Sequence, residues 1–268
     1  MPRRASDAAE RQTDHVCMTG RHVLLTRPDG ENEALARRLA ASSVKVSIRP
    51  LIRLSAEPLS AAIKQTAIDL DLIDLIVFVS KSAVTHGMPV LDSYWPQWPQ
   101  KLEWFAVGEG TAELLREHGV RAVYPEKAGS EGLLGLSGLQ DIAGKRVLIV
   151  RGSGGRELLA SELKRRGARV DYWEIYRRDP VSYEGWDKLV TEDMIAVATS
   201  TEICQHLASE LKRLATRIHL VVASARIAEA AGDPGFKSIS IAAGASEQAL
   251  YDAVMQRAQI IGQGPEST

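Results

Sequence analysis

From Val23 onward, short runs of apolar residues alternate with longer stretches in which leucine and alanine recur at helical spacing. The apolar runs are continuous, which is typical of strands covered on both faces, as in parallel sheets wrapped by helices. The candidate strands are HVLLT, VKVSI, LIVFVS, WFAVG, RAVYP, RVLIV, RVDYWEI, MIAVATS, HLVVAS and SISIA. The candidate helices include 31–41, 111–118, 157–166 and 246–256. The pattern therefore predicts an α/β protein.

The chain contains an internal repeat. Residues 23–53 align without a gap on residues 147–177, so that Arg27 falls on Arg151. Three further pairs of segments follow in the same order: VFVSKSAV with AVATSTEI, AVGEGTAELL with VVASARIAEA, and GSEGLL with ASEQAL. Because the same blocks occur twice in the same order, the sequence predicts a duplicated α/β unit, with the strands divided between two sheets.

Serine, threonine and glycine dominate the loops that follow the candidate strands. These loops read TRPDG, SKSA, GEGT, GSEG, RGSGG, TSTE, ASAR and GASE. Two interpretations remain open: the residues cap helices, or several helix N-termini present backbone N–H groups and positive dipole ends to an anionic ligand. The RGSGG loop matches neither GxxxxGK[ST] nor GxGxxG, so the pattern does not favour a nucleotide phosphate.

Composition and charge exclude several classes of function. The chain has 268 residues, of which 25% are charged, and its net charge is −1, so no overall positive field favours nucleic acid or an anionic membrane. Cys17 and Cys204 have no metal-ligand spacing, and the histidines are scattered singly, so we expect no metal site. The first twenty residues are polar. We expect them to be a flexible extension rather than a signal peptide, and the protein to be cytoplasmic, with no membrane span.

One aromatic residue differs from the rest of the pattern. Tyr176 ends the second copy of the first block, in DYWEIYRRDP, shortly before Pro180. Its position alone leaves two interpretations open: a ring packed on a hinge with its hydroxyl in solvent, or a functional hydroxyl.

Taken together, these segments resemble the uroporphyrinogen-III synthase family. The resemblance covers about residues 21–257, and its most specific segment is GKRVLIVRGSGGRELLASELKRRGARVDYWEIYRR. It is supported by LLTRP, VFVSKSAV, AVGEGTAELLREHG, GSEGLL, VATSTE and ASARIAEAA. Each short piece is weak alone, but their order and spacing make the resemblance close.

The resemblance implies an α/β fold of two flavodoxin-like lobes, each a five-stranded parallel sheet wrapped by helices, joined by a two-stranded ladder. It also implies that the chain crosses over, so that each lobe takes its first block from the other copy. The implied segments are a flexible extension at 1–20, a first lobe at 21–50 plus 180–260, a second lobe at 54–175, ladder strands at 50–54 and 174–180, and a tail at 261–268.

The activity implied is that of a cofactor-free hydro-lyase of tetrapyrrole (haem) biosynthesis. It closes linear hydroxymethylbilane to uroporphyrinogen III, with inversion of the last pyrrole ring and loss of water. The protein mainly positions the substrate, with one acid helping water to leave. The family motif places the catalytic tyrosine at Tyr176 and a hydroxyl that binds substrate at Thr111. The chain departs from the family pattern at Ala225 and Thr201, where many relatives carry an acidic residue and a serine.

The substrate carries carboxylates on every pyrrole, so the resemblance favours loops that bind carboxylates, with RGSGG as one clamp among several. The expected substrate-binding residues are Arg27, Ser80, Ser82, Ala83, Thr111, Ser130, Arg151, Ser153, Gly154, Gly155, Thr199, Ser200, Thr201 and Ser224. We expect a monomer whose partners are hydroxymethylbilane and, transiently, the upstream bilane-forming enzyme. Two alternatives remain: a non-catalytic binding module with two lobes around a cleft, and a relative that kept the fold but lost the activity.

Overall fold

The structure, a computed structural model, describes residues 21–155, 157–232 and 235–263. It divides into two compact units: unit 1 joins the chain up to Ile52 with the chain from Pro180 onward, and unit 2 is Arg53–Asp179. The expected extension over 1–20 lies outside the described residues. No helix within the described ranges is both long and apolar enough to cross a membrane.

Strands and helices alternate along most of the described chain. The strands are β1 (His22–Leu25), β2 (Lys45–Ile48), β3 (Ile52–Ala56), β4 (Leu75–Phe78), β5 (Glu103–Ala106), β6 (Arg146–Gly152), β7 (Arg169–Pro180), β8 (Met194–Ala198), β9 (Ile218–Val222) and β10 (Ser238–Ile241). The α-helices are α1 (Glu33–Ala41), α2 (Ala61–Ile68), α3 (Lys81–Asp92), α4 (Glu109–Glu117), α5 (Ser130–Leu134), α6 (Leu158–Arg165), α7 (Trp186–Leu189), α8 (Thr201–Leu211), α9 (Ala225–Glu229) and α10 (Glu247–Gln263). Short 3₁₀ segments occupy Leu70–Leu72, Ser137–Leu139 and Lys212–Arg217.

Unit 1 contains a five-stranded sheet in the order β10-β9-β8-β1-β2, and its neighbouring strands all pair in parallel. The strands β1, β8 and β9 are buried along their whole length. Helices α1 and α10 cover one face, where Leu35 and Leu250 belong to the same apolar cluster as Val23 and Ile195. Burial on both faces explains why these strands are continuous apolar runs.

Unit 2 contains a five-stranded sheet in the order β3-β7-β6-β4-β5. Its last four strands pair in parallel. The β3–β7 pair is antiparallel, because the partners run in opposite directions between two 2.9 Å hydrogen bonds: the N–H of Glu57 donates to the carbonyl of Ile175, and the N–H of Val181 donates to that of Leu51. The sheet is therefore parallel except at one edge.

The two copies of the repeat occupy equivalent places in the two sheets. The aligned blocks contain β1 and β2 in one copy and β6 and β7 in the other. Next to β1 and β2 the sheet contains the parallel pair β8 and β9, and next to β6 and β7 it contains the parallel pair β4 and β5. Strand β1 lies beside β8, and β6 lies beside β4. Each unit therefore combines the first block of one copy with later blocks of the other.

The structure corrects several predicted elements. The RAVYP segment forms only an isolated parallel bridge from Val123 to Phe105, and Val123 is 54% exposed. The fifth strand of unit 2 is instead β3. Helix α10 continues to Gln263, whereas we expected a tail from residue 261. The rest of that tail, 264–268, lies outside the described residues.

Candidate functional site

In unit 2 the chain runs from β6 to β7 on one side of the sheet and from β4 to β5 on the other side. The carboxyl ends of the adjacent strands β4 and β6 therefore lie at a topological switch point. Strand β6 is followed in the sheet by β7 on one side and by β4 on the other. In open α/β sheets ligands bind in the crevice at such a switch point. Ser80 follows β4 here, and Ser153 follows β6.

Tyr176 reaches this point from the neighbouring strand β7. The residue is only 1% exposed. Its Oη lies 3.0 Å from the Oγ of Ser80 and accepts a hydrogen bond of 3.1 Å from Nη2 of Arg178. Its ring stacks on that of His86, with centroids 5.3 Å apart and planes at 29°. The hydroxyl is therefore buried and hydrogen-bonded, in contrast to the interpretation that placed it in solvent.

Gly152 leaves the space that the tyrosine ring fills. Strand β6 has an irregular register between Arg151 and Gly152, which brings Gly152 opposite Tyr176. A Cβ atom on Gly152 would lie 2.6 Å from both Cε2 and Cζ of Tyr176. The next N–H, that of Ser153, donates to the carbonyl of Tyr176 at 2.7 Å. Glycine is thus required by the close approach of the ring.

Ser80 caps helix α3. Its Oγ accepts the N–H of Ala83 at 2.9 Å, and its side chain is half-buried. The structure corrects the expectation for Ala83 as a binding residue, because its side chain is fully buried and its N–H is already bound. Ser82 is half-buried, and its carbonyl accepts a hydrogen bond from Nδ1 of His86 at 2.9 Å.

The guanidinium of Arg151 holds the RGSGG loop together from within. Its Nη1 contacts Glu157 at 3.0 Å, its Nε contacts the carbonyl of Gly152 at 3.3 Å and Glu174 at 3.5 Å, and its Nη2 donates to the carbonyl of Gly154. The side chain is 8% exposed. The cation is therefore occupied by its own loop and two carboxylates.

Tyr172 fixes the far side of this loop by donating its hydroxyl to Glu157. This hydrogen bond, followed by that from Arg151, lowers the pKa of the Glu157 carboxyl. Partial burial, followed by the bond to Glu157, raises the pKa of Tyr172 to about 12, so the hydroxyl remains a donor at neutral pH.

The backbone donors of the loop are also largely in use. The N–H of Ser153 is bound to Tyr176, and the N–H of Gly154 donates to Oε1 of Glu174 at 3.3 Å. In the loop expected to be one carboxylate clamp among several, a carboxylate of the chain itself, that of Glu174, accepts this backbone donor. A substrate carboxylate would have to displace Glu174.

The other expected residues of unit 2 also lie after strands. Thr111 stands in the first turn of α4 and is 5% exposed. Ser130 begins α5, directly after Gly129, whose φ of +130° favours glycine. The N–H of Gly129 donates to the carbonyl of Val107 at 3.0 Å, which ties this turn to the end of β5.

In unit 1 the expected residues follow β1, β8 and β9. Ser200 caps α8 by accepting the N–H of Ile203 at 3.1 Å, with Thr199 and Thr201 on either side. Ser224 precedes α9 without a side-chain cap bond. Arg27 contacts Glu31 at 2.9 Å. The structure therefore places these residues at the carboxyl ends of the strands of unit 1.

Sequence reasoning missed three side chains near the site of unit 2. Arg178 and His86 touch Tyr176 directly. Lys81 lies against the first turn of α4, since a Cβ on Gly110 would be 2.7 Å from its Cε. Arg178 could have been found from its spacing, because residues two apart on a strand share a face. The other two contacts depend on how helices pack and leave no local signal.

Possible metal ligands are dispersed in the described chain. Among residues 21–155, 157–232 and 235–263, no group of three or more His, Cys, Asp or Glu residues could hold a metal ion. Cys204 is buried, and burial raises the pKa of its thiol to about 11.

Comparison with known sequences points to one family. A family model described as "Uroporphyrinogen-III synthase HemD" matches residues 33–252. The uroporphyrinogen-III synthase of Escherichia coli K12 is 34% identical over 243 residues, which cover 87% of this chain and 99% of the relative. That of Salmonella typhimurium LT2 is 35% identical with the same coverage.

Comparison with solved structures agrees on the fold. A mutant uroporphyrinogen-III synthase from Thermus thermophilus superposes with a TM-score of 0.61 at 16% identity, covering 91% of this chain and 99% of the other. The uroporphyrinogen-III synthetase of Helicobacter pylori 26695 gives a TM-score of 0.60 at 18% identity, with coverages of 88% and 99%.

Proposed function

We propose that this chain, which belongs to the uroporphyrinogen-III synthase family, closes hydroxymethylbilane to uroporphyrinogen III with inversion of the last pyrrole ring and loss of water. The reaction is that of a lyase in tetrapyrrole biosynthesis. Within the structure, one observation supports the proposal most: the hydroxyl of Tyr176 lies beside Ser80 at the switch point of unit 2.

The substrate is a flexible chain of four pyrroles, each with an acetate and a propionate. The net charge of the protein is −1, so local donors must bind these carboxylates. The N-termini of α3, α4, α8 and α9 offer such donors at the carboxyl ends of strands. The proposed substrate-binding residues are Arg27, Ser80, Ser82, Thr111, Ser130, Gly155, Thr199, Ser200, Thr201 and Ser224. Arg151, Ser153 and Gly154 join them when a substrate carboxylate displaces Glu174.

The chemistry asks little of the protein beyond positioning. The nitrogen of the pyrrole that carries the hydroxymethyl group supplies the electrons that expel the hydroxyl group. The substituted carbon of the last ring, at the other end of the bilane, then attacks the resulting cation. The protein must hold the bilane so that this carbon reacts, which is catalysis by orientation. Tyr176 is the acid that assists the departure of the hydroxyl group as water.

We also propose that both units are flavodoxin-like and that β3 and β7 form the ladder that joins them. In unit 1 the order β2-β1-β8-β9-β10 corresponds to the flavodoxin-like order 2-1-3-4-5. The chain passes between the units twice, after Ile52 and after Asp179. Both crossings lie in or at the end of these two strands.

The decisive experiment incubates the protein with freshly generated hydroxymethylbilane and resolves the type I from the type III isomer. We expect type III product in proportion to the amount of protein. A protein-free sample measures spontaneous closure, which yields type I. Type I product alone, at the spontaneous rate, would refute the proposed activity. Saturable binding without turnover would instead favour the non-catalytic binding module.

We propose further that the protein acts as a monomer in the cytoplasm and takes hydroxymethylbilane from the enzyme that forms it. Because the free bilane closes unaided, a short transfer would limit the loss to type I. Light scattering at working concentration tests the monomer. A coupled assay with an added trap for free bilane tests the transfer.

A further inference from the structure

The hydrogen bonds around Tyr176 have a defined direction. The guanidinium of Arg178 can only donate, so the Oη of Tyr176 accepts from its Nη2 at 3.1 Å. The tyrosine hydrogen then needs an acceptor, because a buried hydrogen-bond donor without a partner destabilises the fold. Among the described contacts of this hydroxyl, the Oγ of Ser80 at 3.0 Å is the group that can accept. Tyr176 therefore donates to Ser80.

Ser80 is left with one free function. Its oxygen has two lone pairs, which accept the hydroxyl of Tyr176 and the N–H of Ala83. Its own hydrogen has no acceptor among the described contacts. Ser80 is half-buried, whereas Tyr176 is 1% exposed. The hydroxyl that is able to meet a ligand is thus that of Ser80.

We propose that Ser80 delivers the proton to the leaving hydroxyl group and that Tyr176 acts through it, with Arg178 as a positioning residue. This proposal rests on the proposed function. It extends the role of Ser80 from binding to catalysis and makes Tyr176 the second donor of a relay.

The relay conserves atoms and charge. The Ser80 hydrogen passes to the substrate hydroxyl as the C–O bond breaks with both electrons on oxygen, and water leaves. The pyrrole nitrogen forms the new double bond to carbon. Ser80 regains a hydrogen from Tyr176, and the tyrosinate formed faces the cation of Arg178. The proton lost from the ring carbon after closure returns through Ser80, so the net reaction releases one water.

The first test compares three serine variants by steady-state kinetics. We expect Ser80→Ala to lower kcat about 10²-fold with a smaller change in KM, while the product stays type III. Ser80→Thr keeps a hydroxyl and should restore most of kcat. Ser60→Ala is the matched control, since Ser60 caps α2 by accepting the N–H of Ile63 at 3.2 Å and lies outside the proposed site. An unchanged kcat in Ser80→Ala would overturn the relay.

The second test is a double-mutant cycle between Ser80→Ala and Tyr176→Phe. If Tyr176 acts only through Ser80, adding Tyr176→Phe to Ser80→Ala should change kcat by less than about twofold. If Tyr176 reaches the substrate directly, the two losses should multiply, and that result would overturn the proposal. A wild-type protein that forms no type III product would refute the proposed function. A wild-type protein that forms type III product, combined with losses that multiply in the double variant, would overturn the relay alone.

The third test concerns Arg178. We expect Arg178→Gln to lower kcat about tenfold at unchanged KM, because it removes the charge that stabilises the tyrosinate. Arg178→Lys should recover part of the loss. Arg177→Gln is the control, since Arg177 contacts Asp179 at 2.9 Å and Glu57 at 3.5 Å. Equal effects of Arg178→Gln and Arg177→Gln would overturn the role of Arg178.

Discussion

The two copies of the first block start alike and end differently. Each begins with a buried strand and has an arginine at the equivalent place, Arg27 shortly after β1 and Arg151 near the carboxyl end of β6. One residue later the first copy has Pro28, where the second has Gly152. At the position of Tyr176 the first copy has an isoleucine, Ile52, which is 2% exposed.

The two copies thus keep the same strands but differ in the residues at the carboxyl end of the first strand. A ring can cross the end of β6 because Gly152 has no side chain, and the ring then reaches Ser80, which follows the next strand, β4, and caps α3. A proline at the equivalent place offers no such space. The duplicated blocks therefore take equivalent places in the two sheets, while the pair of hydroxyl groups belongs to unit 2.

The largest effect on the site of unit 2 is expected for Gly152→Ala. The new Cβ would overlap the ring of Tyr176 and force it away from Ser80. We expect a loss of about 1–3 kcal/mol in unfolding free energy and a fall in kcat at least as large as that of Tyr176→Phe. Thermal unfolding and the isomer assay measure both.

Gly235→Ala is the control for that experiment, because nothing lies within 4 Å of the Cβ it would add. Wild-type activity in a folded Gly152→Ala variant would show that the ring position does not matter for turnover.

The next largest effect is expected for Tyr176→Phe, which keeps the ring and deletes the hydroxyl. We expect kcat to fall about 10²-fold, while the residual enzymatic product stays type III because binding selects the reacting carbon. Initial rates and isomer ratios, corrected for spontaneous closure, are the measurement.

Unit 1 offers a matched control. The hydroxyl of Tyr251 lies 2.8 Å from Oγ of Ser42, and the guanidinium carbon of Arg38 lies 3.9 Å from the centre of its ring. The same groups are thus combined around helices α1 and α10, with Ser42 directly after α1. Tyr251→Phe should leave kcat unchanged. Equal losses in the two variants would contradict a specific role for Tyr176.

A smaller effect is expected for Glu174→Gln. Its carboxylate faces both the N–H of Gly154 and the guanidinium of Arg151, two groups that we propose a substrate carboxylate binds. Removing this charge should lower KM roughly two- to fivefold, a modest change because Glu174 is well exposed. Asp171→Asn, at the other end of β7, is the control, and an increase in KM for Glu174→Gln would count against competition at the loop.

The smallest effect is expected for Asp193→Asn, a change at the amino end of the sheet of unit 1. Asp74 and Asp193 each precede a central strand, but Asp74 accepts the N–H of Arg146 at 2.7 Å, whereas Asp193 contacts Lys237 at 2.7 Å and His219 at 3.1 Å. The hydrogen bond from Lys237, followed by that from His219, lowers the pKa of Asp193.

Because that folded-state pKa is lowered, its stabilisation is present above about pH 4 and is lost as pH falls through the folded pKa. Asp193→Asn should therefore lower Tm slightly at pH 7, and the difference from wild type should vanish under acid conditions. Thermal unfolding at a series of pH values measures this. A difference that stays constant down to about pH 2 would contradict the assignment.

Periodicity predicted most of the strands because burial on both faces leaves continuous apolar runs, as in VLIV of β6. It failed at RAVYP, where Val123 and Tyr124 are 54% and 43% exposed, so these apolar residues do not belong to a strand that is buried on both faces. It also gave no strand for β3, whose pairing with β7 is set by a distant part of the chain.

The candidate site was predictable only in part, for a related reason. Ser80 could be recognised because capping is a local signal, read from serine at the start of a helix. The burial of Tyr176, the space at Gly152 and the contact with His86 all join segments far apart in sequence. The contacts of Arg151 with Glu157 and Glu174 likewise depend on the folded loop and on β7, so the sequence did not indicate that these carboxylates contact the guanidinium.

The crossed connection between the copies has a consequence for synthesis on the ribosome. Unit 2 is one continuous stretch, Arg53–Asp179, and all its strands are available once that stretch has emerged. Strand β1 emerges first, yet its partner β8 begins only at Met194. The edge of β1 that pairs with β8 therefore stays exposed until β8 has been synthesised, which is after the whole of unit 2 has emerged. A stalled chain that ends just before β8 would contain a folded unit 2 and an N-terminal block with an unpaired apolar strand edge. We expect such a chain to be prone to aggregation and to bind chaperones.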